Sequence, residues 1–130
     1  MSAPTLKDVG LVALGGALGA VSRLLLGSAL KNVTEVPWGL LVINILGSLL
    51  IGFFAAWTQA KPSPLIAQFV MIGILGGFTT FSAFSLDNLG LVQDGKWGVA
   101  LLNMGLSCGL GLLAASGGFF VGGKMFPAAG

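Results

Sequence analysis

Four long apolar stretches separated by short polar segments dominate the pattern of hydrophobic and polar positions along the chain. Three of them, 36–60, 62–86 and 97–123, contain no charged residue, and a fourth, 9–30, contains only Arg23. About 20 apolar residues are enough for a helix to cross the roughly 30 Å hydrocarbon core of a bilayer. The pattern therefore predicts an all-α membrane protein with four transmembrane helices. We place these helices at about 9–30, 38–60, 65–93 and 97–123.

The composition supports the same fold class. Of the 130 residues, 55% are hydrophobic and 8% are charged, whereas about a quarter of a typical soluble domain is charged. The predicted loops at 31–37, 61–64 and 94–96 are short. The chain is therefore expected to be one transmembrane domain, 1–130, whose function is carried in or through the bilayer.

Several classes of site are disfavoured by the residues that the chain lacks. It has no histidine and one cysteine, Cys108, which argues against a zinc site or a redox dithiol. We expect Cys108 to be a small packing residue. A net charge of +2 does not indicate nucleic-acid binding. The first apolar stretch is longer than the core of a signal peptide and follows a mixed-charge segment, so a cleaved signal is not expected.

The lysines give a weak prediction of membrane orientation. With the N-terminus on one side, three lysines fall there and two fall on the other side. Because loop lysines and arginines set orientation, this near balance indicates that both orientations are made. Glycine-rich stretches at 15–20, 47–52 and 105–118 are typical of closely packed membrane helices. An antiparallel two-fold homodimer is the assembly that fits both features.

Two polar side chains lie within the apolar stretches, and each has two interpretations. A membrane-embedded arginine is a functional candidate by default, but Arg23 can also extend its head to the bilayer surface as an anchor. Asn44 can form a hydrogen bond between helices, or its amide can donate two N–H groups to an anion. Neither pattern decides between the alternatives.

The segment "GGFTTFSAFS", at 76–85, is poorly suited to a continuous helix. It predicts a break near 76–80 in the third helix, which would free backbone carbonyls that lipid cannot satisfy. Hydroxyl groups or a bound cation such as Na⁺ can serve as partners for these carbonyls. Phe81 and Phe84 are three residues apart and share a helix face, where their positive ring edges could contact a small anion. The alternative is that both rings face lipid or the core.

These residues also carry a family resemblance. The segments "GGALGAVSR" (15–23), "WGLLVINILGS" (38–48) and "GILGGFTTFSAFS" (73–85) resemble the signatures of the small fluoride channels called Fluc or CrcB. The resemblance covers 9–123. It implies an antiparallel, dual-topology homodimer in the cell's inner or plasma membrane, with two fluoride pores and a central structural Na⁺. It also implies passive fluoride export that protects the cell from fluoride toxicity.

The resemblance assigns roles to individual residues. It implies that the backbone carbonyls of Gly76 and Thr79 hold the Na⁺, and that Arg23 and Asp87 lie near the aqueous vestibule. The residues that it places along the fluoride pore are Asn44, Thr80, Phe81, Ser82, Phe84, Ser85 and Ser107. The chain departs from the family at Leu40 and Gly111, where hydroxyl residues are common, and both departures shorten the implied polar track.

Two functions other than a fluoride channel are compatible with a small four-span protein. A small dual-topology multidrug or cation exporter needs a carboxylate in the interior of a membrane span. No acidic residue lies there, and the nearest one, Asp87, falls toward the end of the third helix, which disfavours this function. A purely structural membrane protein has no need of a broken helix with paired phenylalanines. An enzyme is not expected, because without histidine, and with carboxylates only at the span edges, no acid–base or nucleophile–base set can be assembled.

Overall fold

The computed structural model describes residues 2–31 and 38–128, and every regular element in these ranges is helical. The first two helices are α1 (Leu6–Lys31) and α2 (Trp38–Ala60). The third span contains a π-helical stretch, π1 (Leu65–Leu75), a short α3 (Gly76–Phe78) and a longer α4 (Phe81–Gln93). Helix α5 (Trp97–Met125) is the last element. Of the predicted first loop, 31–37, only residue 31 is among the described residues.

Four segments are long and apolar enough to cross a membrane: Leu6–Leu30, Trp38–Ala60, Leu65–Gln93 and Trp97–Met125. The prediction of an all-α protein with four membrane-spanning helices is therefore confirmed. The first and last helices extend beyond their predicted bounds: α1 begins at Leu6 and α5 ends at Met125. At the first end, the Thr5 hydroxyl oxygen accepts from the backbone N–H of Asp8 at 3.2 Å and caps the start of the helix.

The helices associate as two close pairs. Helix α1 packs mainly along π1 and α3, whereas α2 packs mainly along α5. At the first seam, a Cβ on Gly77 would lie 2.6 Å from the carbonyl oxygen of Gly16. At the second seam, a Cβ on Gly118 would overlap the Leu49 carbonyl oxygen. Glycine thus lets the backbones touch, which is how helices associate where lipid supplies no hydrophobic driving force.

The second seam gives a matched pair of variants. We expect Gly118→Ala to destabilise the folded protein by about 1–3 kcal/mol, because its Cβ must push α2 and α5 apart. Gly117→Ala is the control, since a Cβ there has no heavy atom within 4 Å. The measurement is the unfolding midpoint of each purified variant in the same detergent. Equal midpoints for both variants would contradict the close approach of these helices.

Candidate functional site

The helical path of the third span is interrupted at two threonines. Thr79 (φ −83°, ψ 155°) and Thr80 (φ −153°, ψ 128°) have extended backbones between α3 and α4. Gly76 and Gly77 lie in the predicted 76–80 interval but remain helical. Gly77 instead provides the close contact with Gly16 on α1.

Hydroxyl groups of the two threonines satisfy part of the backbone at this interruption. The Thr79 hydroxyl donates to the carbonyl of Leu75 at 2.9 Å. The Thr80 hydroxyl oxygen accepts from the backbone N–H of Ala83 at 3.2 Å and so caps the start of α4. Two adjacent threonines therefore close one helix and open the next.

Asn44 on α2 binds the interrupted backbone through both ends of its amide. Its Oδ1 accepts from the backbone N–H of Thr80 at 2.9 Å, and its Nδ2 donates to the Thr80 carbonyl at 3.2 Å. The first sequence interpretation of Asn44, a hydrogen bond between helices, describes this contact. Since Nδ2 carries two hydrogens, the contact still leaves one N–H for another acceptor.

Two further α2 residues shape the surroundings of Asn44. A Cβ on Gly47 would overlap the methyl group of Thr79, so a larger residue at this position would displace the Thr79 side chain from α2. One turn after Asn44, the Ser48 hydroxyl donates to the Asn44 carbonyl at 2.7 Å. A Cβ on Gly111 would lie 3.6 Å from Ser48 Oγ, so the family departure at this position removes side-chain atoms beside Ser48.

The interruption opens into a groove of about 470 Å³, which we call the Asn44 groove. Its lining comes from α2, from both sides of the interruption and from α5. Seven of the residues predicted for the pore or the cation site lie in this lining: Asn44, Gly76, Thr79, Thr80, Phe81, Phe84 and Ser107. Cys108 also lines the groove and is exposed, in contrast to the packing role expected for it.

The two phenylalanines of the groove have different surroundings. Their ring centroids are 5.7 Å apart with an interplanar angle of 41°. Phe84 is 9% exposed and belongs to the core of the chain, whereas Phe81 is 79% exposed. The shared helix face predicted from their spacing therefore crosses from the interior to the outer surface of this chain.

The remaining predicted hydroxyl groups lie on α4 beside the groove, and its lining does not include them. The Ser82 hydroxyl lies 3.3 Å from the Thr80 hydroxyl, and the Ser85 hydroxyl donates to the Phe81 carbonyl at 2.9 Å. Both serines are exposed, and Asp87, further along α4, is half-buried. The α4 hydroxyl groups thus extend from the interruption along the outer face of the helix.

Arg23 contacts the third span from α1. Its Nε donates to the carbonyl of Gly77 at 3.2 Å, which binds α1 to the last helical turn before the interruption. The residue lines a separate notch of about 410 Å³ together with Ser28 and Leu40. Arg23 is therefore not brought together with Asn44 and the phenylalanines, although it stabilises the same segment.

Two carbonyls at the interruption lose the donors that a continuous helix would give them. The Thr80 N–H would donate to Gly76, but it donates to Asn44. The Ala83 N–H would donate to Thr79, but it donates to the Thr80 hydroxyl. These are the two carbonyls that the family resemblance assigns to Na⁺, and a cation is a suitable partner for them.

Sequence reasoning missed a buried amide pair between α4 and α5. Asn88 Nδ2 donates to the Phe84 carbonyl at 2.9 Å, and Asn103 Nδ2 donates to Asn88 Oδ1 at 3.1 Å. The side chains of Asn88 and Asn103 are 6% and 2% exposed. The signal was available, because asparagine within an apolar span is the same feature that singled out Asn44.

Comparisons with known proteins agree on one family. The profile of the family described as CrcB-like protein, Camphor Resistance (CrcB), matches residues 10–119. A relative from Roseobacter denitrificans is 42% identical over 120 residues, covering 89% of this chain and 95% of the relative. A relative from Magnetococcus marinus is 48% identical over 115 residues, covering 85% and 94%. One from Opitutus terrae is 52% identical over 95 residues, covering 68% and 72%. All three bear the name fluoride-specific ion channel FluC.

Proposed function

This chain belongs to the CrcB family, and from that premise we propose that it is a fluoride-specific channel through which fluoride leaves the cell passively. The observation that carries the proposal is the Asn44 groove, which brings an amide, two aromatic rings and hydroxyl groups together inside a multi-pass membrane protein. Its place is the cytoplasmic membrane, where outward fluoride flow protects the cell. Conduction makes and breaks no covalent bond, and we assign no catalytic role to any residue.

Asn44 is the residue that donates to fluoride in this proposal. Its Oδ1 is occupied by the Thr80 N–H, so the amide cannot rotate without losing both bonds to the backbone. The orientation of Nδ2 is thereby held, and its second hydrogen is available to an anion. A donor held in place costs little reorganisation when fluoride arrives.

The phenylalanine rings supply weak electrostatic contacts. The edge of an aromatic ring is positive, so Phe81 and Phe84 can contact a small anion without a full charge. A pore must bind its ion strongly enough to admit it and weakly enough to release it. An amide, two ring edges and hydroxyl groups meet this requirement better than a buried arginine would, and Arg23 lies outside the groove.

A second copy of the chain completes the proposed channel. Phe81 is 79% exposed on a single chain, so a ring assigned to the pore needs a neighbour to separate it from lipid. The near balance of lysines supports an antiparallel arrangement of the two copies. Labelling a C-terminal tag in intact and in permeabilised cells tests it, and a tag found on one side alone would refute dual topology.

The carbonyls of Gly76 and Thr79 fit a structural Na⁺, because both have lost their helical donors. When bound, the ion satisfies these oxygens and places positive charge near the groove, which lowers the cost of bringing an anion into a low dielectric. The chain's own contribution is the Asn44–Thr80 contact, which keeps the carbonyls out of a helix.

Sodium is accordingly expected to stabilise the purified protein. A ligand that binds only the folded state raises its stability by mass action. We expect the thermal midpoint in NaCl to exceed that in choline chloride, and to rise with Na⁺ concentration at constant ionic strength. A midpoint that depends on ionic strength alone would remove the sodium site from the proposal.

The direct test of function is fluoride efflux from liposomes. Purified protein is reconstituted into vesicles loaded with potassium fluoride, and release is followed with a fluoride electrode after addition of a potassium ionophore. We expect rapid release that requires the protein, and little release of chloride from matched vesicles. Release no faster than from protein-free vesicles, or equal release of chloride, would refute a fluoride-specific channel. Proton-coupled uptake of a cationic dye would instead favour an exporter.

A further inference from the structure

Two buried polar atoms on α5 have no hydrogen-bond partner within the described residues. They are Asn103 Oδ1 and Ser107 Oγ. The residues are four apart, so their side chains are neighbours on one face of α5. An unsatisfied buried polar atom costs about 1–3 kcal/mol, and lipid offers no water to relieve it. Two such atoms side by side are therefore unfavourable unless a side-chain rotation or a ligand supplies the missing hydrogen bonds.

The orientation of the Asn103 amide is determined from α4. The Phe84 carbonyl can only accept, and Asn88 Nδ2 donates to it. Asn88 consequently presents its Oδ1 to Asn103, which donates from Nδ2. Rotating the Asn103 amide by half a turn would set its oxygen against the oxygen of Asn88. Asn103 Oδ1 is therefore the amide atom that does not bond to Asn88, and it is held in place as an acceptor.

Only one of the two unpartnered groups can donate. An amide oxygen accepts and never donates, whereas a serine hydroxyl carries one rotatable hydrogen. Rotation of Ser107 about its side-chain bonds, with the donor turned toward Asn103 Oδ1, is the simplest movement that satisfies both atoms. Ser107 also lines the Asn44 groove, along with Phe84. The Ser107 hydroxyl oxygen is buried as it stands, so a change of side-chain rotamer would be needed to turn its single hydrogen either toward Asn103 Oδ1 or toward an anion in the groove.

We propose that Asn103 is an affinity-setting residue of the channel, which accepts the Ser107 hydroxyl when the groove is empty and competes with the anion for that hydrogen. This inference rests on the proposed function and adds to it a residue, Asn103, that weakens the binding of the anion. By competing, Asn103 keeps the contact between Ser107 and the anion weak, as rapid release requires. Asn88 is a positioning residue, because it holds the Asn103 oxygen in the competing orientation.

The test removes the competitor while keeping the interior filled. In the Asn88→Leu/Asn103→Leu double variant both partners of the amide bond become apolar, which leaves neither of them unpaired. Fluoride efflux from liposomes is measured over a range of internal fluoride concentrations for the parent and the variant. We expect the half-saturating concentration to fall by about fivefold, the equivalent of one net hydrogen bond of about 1 kcal/mol.

The Ser107→Ala background separates competition from packing. There the Asn88→Leu/Asn103→Leu substitutions are expected to leave the half-saturating concentration unchanged, because no hydroxyl remains to be released. The Asn88→Leu single variant is the second probe. It frees the Asn103 amide to turn its Nδ2 toward Ser107 Oγ, so that the Ser107 hydrogen faces the groove and the half-saturating concentration again falls.

A shift present with Ser107 and absent with Ser107→Ala supports the proposal. The proposal is overturned if the double variant or the Asn88→Leu single variant shows no shift. It is also overturned if the same shift occurs in the Ser107→Ala background. If the parent protein itself releases no fluoride, the proposed function fails instead, and the two failures are distinguished by the parent measurement alone.

Discussion

Fluoride efflux is expected to be abolished when Asn44 is replaced by aspartate. The carboxylate keeps an oxygen that can accept from the Thr80 N–H, but it loses the Nδ2 that donates to the Thr80 carbonyl. It also places a negative charge beside that carbonyl and in the path of the anion. A charged side chain within a membrane helix costs about 3 kcal/mol, so we expect flux at least about 100-fold below that of the parent. The measurement is efflux from liposomes that contain equal amounts of protein.

Gln93→Glu is the matched control for this variant. It makes the same change from amide to carboxylate on an exposed residue at the end of α4, and it should conduct at the parent rate. The elution volume of each purified variant shows whether its assembly is intact. Parental flux through a correctly assembled Asn44→Asp protein would remove Asn44 from the pore.

The second large effect is expected from the phenylalanines. Phe81→Ile and Phe84→Ile keep apolar bulk but remove the ring and its positive edge. A contact of about 1.5 kcal/mol, the upper end of the range for aromatic contacts, corresponds to roughly a tenfold change in rate, so each variant should conduct about tenfold more slowly than the parent. Phe119→Ile, on the partly exposed face of α5, is the control and should leave flux unchanged.

The different exposure of the two rings sharpens this experiment. Phe84→Ile alters the core of the chain, so its folded stability should fall together with its flux. Phe81 is exposed on the single chain, so Phe81→Ile should lower flux with little change in the stability of one chain. If both isoleucine variants conduct like the parent, the rings serve packing, and the groove must recognise its ion by other means.

The helices could be predicted from the sequence because they depend on local pattern and on the length of each apolar stretch. The position of the interruption could only be bracketed. Glycine at 76 and 77 suggested that the chain is weakest there, yet both residues stay helical. The extended conformation falls at Thr80 because Asn44, 36 positions earlier, takes its N–H and its carbonyl. The position of the interruption is therefore set by a contact between residues that are distant in the sequence, and local helix propensity cannot predict it.

The candidate site was predictable in its central members and incomplete at its edges. Asn44 was identified as a polar residue in an apolar span, with both of its interpretations left open. Asn88 and Asn103 carry the same signal, but their pairing follows only from the packing of α4 and α5, which brings Asn103 Nδ2 to 3.1 Å from Asn88 Oδ1. Similarly, the spacing of Phe81 and Phe84 indicates a shared face without indicating that the face runs from the interior to the surface.

The pairing of the helices determines the order in which the chain can assemble after synthesis. The principal partner of α1 begins at Leu65, and that of α2 begins at Trp97. Neither of the first two helices can therefore complete its main contact with the next helix to emerge from the ribosome. Each must remain in the bilayer as a separate helix, with its glycine seam open to lipid, until a distant segment has been inserted. Assembly is thus interleaved, and a nascent chain that ends at residue 60 should contain two inserted helices and no stable hairpin.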